Sequence, residues 1–245
     1  MNRLAKWMLR FLLSVLPFSL CSAQTPSGAE IFARSLKSYR DFRTLQLEVE
    51  WSYSMDGMDA GIPSSELLSD RIAAVIEPGA NHIRIESKEH NKLFITDGTN
   101  HYRYDGGKKE YSRMAAPPNL DGLMLREVWS YPEGMEFRGE PVVRGNEKVK
   151  IKGTAYDCWV LEAPIAFTGS GANPYLVPEP IKIWIDKSSG LPLKTQIIRH
   201  MPNRALAIDS MKVTSFKLNE SVPPGFFTFE IPKNAREINQ TAASP

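Results

Sequence analysis

Apolar and polar residues alternate along most of this chain with the period of two that marks half-buried β-strands. The clearest stretch is 181–198, IKIWIDKSSGLPLKTQII, in which Ile181, Ile183 and Ile185 share one face while Lys182 and Asp186 take the other. Asp186-Lys187-Ser188-Ser189-Gly190 reads as a polar turn ending in a glycine that tolerates positive φ. The second arm, 191–198, returns antiparallel, with Pro192 near its start, where a missing N–H disturbs least. At 45–53 the same alternation sets Leu45, Leu47, Val49, Trp51 and Tyr53 against Gln46, Glu48, Glu50 and Ser52.

Short strands separated by turn signals are predicted at 71–77, 82–87, 92–96, 101–105 and 109–112, then at 142–144, 148–152, 156–162, 207–218 and 226–231. The spacing of neighbours predicts an antiparallel meander. Two segments carry the helical period instead. Ser27-Gly28 caps a helix running to about Tyr39, with Ile31, Phe32, Leu36 and Tyr39 on one stripe. After Pro117-Pro118-Asn119, Leu120, Leu123, Met124 and Val128 form a second stripe, weakened by Gly122. The methionine-bearing stretch 55–63 and the Gly/Pro-rich connection before Pro180 (TGSGANPYLVPEP) read as loops.

These elements pose a covering problem. About ten strands at roughly 4.8 Å spacing span about 48 Å, whereas one helix is about 10 Å wide. Two short helices cannot roof a flat sheet of that width, so the sheet must curl around them as a part-barrel, close fully, or split into a sandwich. A curled sheet around an imperfect plug leaves apolar wall for a ligand, and a sandwich leaves none. Spacing alone does not choose.

Composition alters the picture at the ends. Arg3, Lys6 and Arg10 precede the apolar run 11–20, and Cys21-Ser22-Ala23 supplies small residues before Gln24, the pattern of a secretory signal over 1–23. The run is too short, and too interrupted by Pro17, for the roughly 20 residues of a spanning helix. The whole chain is +2 and the leader holds +3 with no acid, so the remainder carries −1, which recommends no nucleic-acid partner. Outside the leader Cys158 is the single cysteine, so no internal disulfide is expected and a buried, inert thiol is. The organisation expected is a leader at 1–23, one domain over 24–234 and a polar, disordered tail at 235–245.

Catalytic chemistry finds little support. His82, His90, His101 and His200 are scattered, without metal-ligand spacing, and His82 and His101 read as strand-end surface residues. No nucleophile elbow or phosphate-binding glycine loop is present. Asp97 and Asp186 stand where turns want a carboxylate to bond backbone N–H groups. Trp51, Tyr102, Tyr104, Trp159 and Trp184 read as core or sheet packing. No enzyme activity, metal or cofactor is expected.

Three ordered features, KLFITDGTNHYRYD at 92–105, IKIWIDKSSGLPLKTQII at 181–198 and SVPPGFFTFEIP at 221–232, resemble the LolA/LppX-type superfamily of exported lipid and lipoprotein carriers. The resemblance spans nearly the whole chain after the leader. It implies an α+β, mainly antiparallel, unclosed half-barrel wrapped around a small helical lid, with acyl chains held on the concave face. At Glu77-Pro78 the chain has the proline but an acid where the lipoprotein chaperone of that superfamily carries a lid-latching arginine. The departure touches the latch rather than the fold. The expectation is a periplasmic, monomeric carrier of a lipid or lipoprotein acyl chain, with an envelope membrane protein as donor or acceptor. Its candidate walls are Phe32, Leu47, Val49, Trp51, Ile83, Ile85, Leu123, Met124 and Ile183. The alternative is a sensor or protein-interaction module on the same fold. Regulators of that kind carry an additional C-terminal domain for which 245 residues leave no room, so the carrier is preferred.

Overall fold

The computed structural model describes residues 26–56, 65–129, 131, 135–167, 177–200 and 206–238. The leader expected at 1–23, most of the loop expected at 55–63 and most of the connection before Pro180 lie outside the described residues.

α1, Gly28–Ser35, starts as the sequence predicts: Ser27 Oγ accepts from Glu30 N (3.2 Å) and Glu30 Oε2 accepts from Ser27 N (2.8 Å), a reciprocal capping box. It stops earlier than the expected Tyr39 and tightens into a single 3-10 turn, Ser38–Asp41, which turns Tyr39 down into the core at 2% exposure. The strands then follow as β1 Leu45–Asp56, β2 Ser65–Glu77, β3 His82–Ser87, β4 Lys92–Asp97, β5 Asn100–Asp105 and β6 Glu110–Ala115. The second helical segment, α2, is Asp121–Leu123 running directly into a π-turn, Met124–Val128.

β7 Met135–Phe137 pairs with β10 Ile165–Phe167 in a small separate sheet. The remaining strands are β8 Val142–Ile151, β9 Thr154–Ala163, β11 Val177–Pro178, β12 Ile181–Asp186, β13 Pro192–His200, β14 Leu206–Leu218 and β15 Arg236–Glu237. β8 is one strand where two short ones are expected, because a bulge at Arg144 absorbs the break in alternation.

Thirteen strands form one sheet, ordered β15-β6-β5-β4-β3-β2-β1-β14-β13-β12-β9-β8 with β11 on β13, antiparallel except for β15 against β6. The sheet is unclosed and curls. The far end of the β8–β9 hairpin reaches back toward β14, with Tyr156 against Phe216 at 5.2 Å and Lys152 Nζ donating to Ser215 Oγ at 2.9 Å. The inward face carries Leu45, Leu47, Val49, Ala74, Ile76, Ile83, Ile85 and Ile183, all buried against α1 and α2. The architecture is therefore a mainly antiparallel open half-barrel with a small helical cover.

Residues 226–231 correct an expectation. They form no strand but a strap across the outer face of β3–β6: Phe229 stacks on Tyr102 at 4.8 Å, Phe227 lies 5.0 Å from His82, and Arg84 Nη1 donates to Phe226 O at 3.2 Å. Ile95, which lies between Arg84 and Tyr102 in the register, is completely buried. The alternation that suggested a strand is the spacing of aromatic anchors along an irregular segment. The tail expected to be disordered from 235 is held at its start, since Arg236 and Glu237 pair with Glu110 and Tyr111 of β6.

Candidate functional site

The inward phase of β1, β3 and β12 places Leu47, Val49, Ile83, Ile85 and Ile183 on one wall. Phe32 from α1 and Leu123 and Met124 from α2 close over it, so eight of the nine candidate residues form one cluster with exposures between 0% and 9%. The two helical segments are clasped to each other. Tyr39 Oη donates to Asp121 Oδ1 (2.5 Å), and Arg40 Nη2 reaches both oxygens of the same carboxylate at 2.6 Å. Burial pushes the Tyr39 hydroxyl up to about 12, so at neutral pH it stays a donor to Asp121. Asn81 Nδ2 donates to Pro117 O at 2.9 Å and anchors the approach to α2, beside a cleft of about 540 Å³ bounded by Arg40, Pro78, Asn119 and Leu120. Glu77 faces His82, Oε2 to Nδ1 at 3.2 Å, on the strap side of the sheet.

Trp51, the ninth candidate, lies where the helical cover ends. It is partly exposed and sits in the register between Asp70 of β2 and Met211 of β14. Next to it on the inward face come Tyr53 and the half-exposed Leu68, then Asp209 and Arg199. Arg199 pairs with Asp209 and lies over the rings of Tyr53 (5.9 Å) and Phe167 (5.7 Å). Burial raises the Asp209 carboxyl, against the lowering effect of Arg199, and burial likewise raises that of Asp70. This end of the concave face is thus aromatic with charged groups set into it, whereas the covered end is aliphatic.

A second polar group lies on the rim beneath α2. His101 Nδ1 faces Thr96 Oγ1 at 3.0 Å, and Arg103 Nε donates to His101 Nε2 at 3.2 Å, which leaves the proton of the neutral ring on Nδ1. Burial, reinforced by Arg103 and Arg126, brings His101 down to about 4. The expectation of a surface histidine is corrected: Asn100 opens β5, so His101 falls in the inward phase and is 3% exposed, while His82 faces outward.

The other candidate residues occupy separate places. His90 lies 4.0 Å from Asp70, and His200 Nε2 is 2.8 Å from Glu179. Among the described residues no group of three or more histidines, cysteines and carboxylates is placed to hold a metal. Asp97 Oδ1 accepts from Thr99 N and Asn100 N, and Asp186 Oδ2 accepts from Ser189 N and the hydroxyls of Ser188 and Ser189, the turn roles expected of both. Cys158 is fully buried, and burial pushes its thiol up to about 12, which keeps it protonated.

Sequence reasoning missed Asp70, Arg199, Asp209 and Arg103. The signal was present: each is a charged residue in the inward phase of its strand, as in Ala207-Asp209-Met211-Val213, where alternation alone predicts an apolar side chain.

No family model matches the sequence, and no curated protein matches it. Solved structures do. The chain is similar to an uncharacterized conserved protein from Thermus thermophilus, at 14% identity over 89% of this chain and 98% of that one, TM-score 0.47. It is similar to the LolA superfamily protein NE2245 from Nitrosomonas europaea, at 12% identity over 84% and 99% of the two chains, TM-score 0.34. It is also similar to MucB, solved in complex with MucA(peri), at 11% identity over 83% of this chain and 60% of that one, TM-score 0.42.

Proposed function

We propose that this protein is an exported, non-enzymatic carrier that holds an apolar chain, of a lipid or a lipoprotein acyl group, against the concave face of its sheet. The observation that most supports the reading is the nature of the cover. The wall formed by Leu47, Val49, Ile83, Ile85 and Ile183 meets two helical segments of eight residues each, one of them a π-turn for most of its length, instead of a second sheet. An entering chain replaces Phe32, Leu123 and Met124 with contacts of the same kind, starting from the less covered end at Trp51. Ten buried methylenes contribute about 8 kcal/mol at about 0.8 per CH₂ before association costs, enough for reversible holding. The leader at 1–23 delivers the chain to the periplasm, the domain at 24–234 works as a monomer, and an envelope membrane protein supplies or receives the cargo.

The test is uptake of a fluorescent fatty acid. Trp51→Asp places a charge at the mouth of the wall and is expected to weaken uptake by tenfold or more, roughly the effect of stranding a carboxylate against an apolar chain, with the far-ultraviolet circular dichroism unchanged. Uptake equal to that of the wild type sinks the concave site. A second reading, a module that recognises a protein partner, is favoured by the closeness of the packing over the eight buried wall residues. Native mass spectrometry of protein taken from an envelope extract separates the two, because a carrier retains lipid and a module retains a defined protein without it.

A further inference from the structure

We infer that the rim between β5, β6 and the π-turn of α2 is a subsite for an anionic group, the phosphate or carboxylate head of an amphiphile whose chain lies under α2. The inference rests on the concave carrier reading and names the class of ligand.

Arg103 and Ser112 are directly paired across β5 and β6 and point to the inward face together. Among the described residues Arg103 pairs with one acid, and loosely. Glu127 Oε1 is 3.7 Å from Nη2, and that oxygen is held more closely by Arg126 Nε at 2.8 Å. The hydrogen bond that Arg103 does make goes to the neutral ring of His101. Two guanidiniums therefore share one carboxylate at this rim. Across from Arg103, Ser112 is 2% exposed and its hydroxyl has no partner among the described residues. A buried hydroxyl left unpaired is costly, and a purely structural role for this cluster leaves it unexplained.

The Arg103 side chain remains 31% exposed, so an anion reaches it without removal of α2. A guanidinium suits a phosphate or carboxylate because its planar fork bonds two oxygens at once, and a serine hydroxyl supplies a further donor. Inward of the rim the surface turns apolar. The Arg103 guanidinium lies 5.6 Å over the ring of Phe94, which pairs in register with Ile85 and packs against the buried cluster that contains Leu123 and Met124. The chemistry thus passes from cationic to aliphatic along one line, as an amphiphile requires. The segment carrying Arg126 and Glu127 is a π-turn, a geometry found often at functional sites.

The experiment titrates the full chain with dodecyl phosphate, dodecanol and inorganic phosphate, all below micelle formation, alongside Arg103→Gln, Arg103→Lys and Ser112→Ala. Dodecyl phosphate is expected to bind roughly tenfold more tightly than dodecanol, the scale of one charge-assisted contact. Arg103→Gln and Ser112→Ala reduce that preference while leaving dodecanol unchanged, and Arg103→Lys, which keeps the charge and serves as the check on folding, retains part of it. Inorganic phosphate binding as tightly as dodecyl phosphate, and lost in Arg103→Gln, makes the occupant a free anion and overturns the head-group assignment. Equal binding of dodecanol and dodecyl phosphate, indifferent to Arg103, overturns the subsite and leaves the carrier reading intact. Failure of all three probes overturns both.

Discussion

His101 faces inward with its ring nitrogens committed to Thr96 and Arg103, an arrangement that only the neutral imidazole satisfies. Its value in the fold, about 4, lies below the ordinary 6.5, so the unfolded chain takes up a proton that the folded one refuses. The contribution to stability is complete above about pH 6.5 and is lost as pH falls from there toward 4. Replacement by glutamine, which has a donor and an acceptor but no charge to gain, removes this dependence. Urea midpoints measured from pH 7 to pH 4 are expected to fall more steeply for the wild type than for His101→Gln; parallel curves contradict the assignment. The sequence did not announce such residues, and the reason is physical. Alternation reports where a backbone position points, whereas the polar groups on inward positions find partners elsewhere in the chain: Thr96 of β4 for His101, Glu127 of α2 for Arg103, and Asp209 of β14 for Arg199. Their positions were legible but their pairing was not. By contrast Asp97 and Asp186 bond within their own turns, so their roles could be read from three or four consecutive residues.

Among the elements, the two helical segments depend on a tertiary contact for their mutual placement. α1 has its own capping box, but α2 begins at Leu120 with no side-chain cap and passes into a π-turn within one turn of its start. Asp121 joins them by accepting from Tyr39 and Arg40. Arg40 and Asp121 are both substantially exposed, so most of the value of the clasp lies in satisfying the buried Tyr39 hydroxyl. Asp121→Ala is expected to cost about 1–2 kcal/mol, because the Tyr39 hydroxyl then loses the acceptor for its proton. Hydrogen exchange should quicken across 28–41 and 121–129 while the amides of β1 and β3 stay protected. Protection that falls evenly through sheet and helices shows that the helices do not move separately. The same dependence explains which boundaries were legible. The start of α1 was written in Ser27 and Glu30, whereas its end is set by the descent of Tyr39 toward a residue 82 positions away. β2 extends to Ser65, well before the expected start at 71, because pairing with β1 sustains it through a stretch whose own pattern is polar.

Across the whole molecule, the sheet is buried on two sides by different means. Its concave face is closed by the helical segments, and the outer face of β3–β6 is closed by the strap, in which Phe229 contacts Tyr102, Tyr104 and Tyr111. The covering argument from strand and helix widths anticipated the first and not the second, since it treated the outer face as wet. Ile95 could have raised the question, being an isoleucine in the outward phase of β4 beside the inward Phe94 and Thr96. Because the two covers lie on opposite sides of one sheet, the proposed carrier role predicts that stability and cargo binding separate. Phe229 is only partly buried, so Phe229→Ala is expected to cost about 1–2 kcal/mol, below the roughly 3–5 of a fully buried phenylalanine. It should hasten proteolytic cleavage within 221–238, because the strap's far end is held by the short pairing of β15 with β6 and a few exposed ion pairs. Fatty-acid uptake should be unaltered, since no residue of the concave wall touches that ring. If uptake falls in step with strap release, the ligand lies on the outer face or the two faces communicate through the sheet, and the separation argued from topology fails.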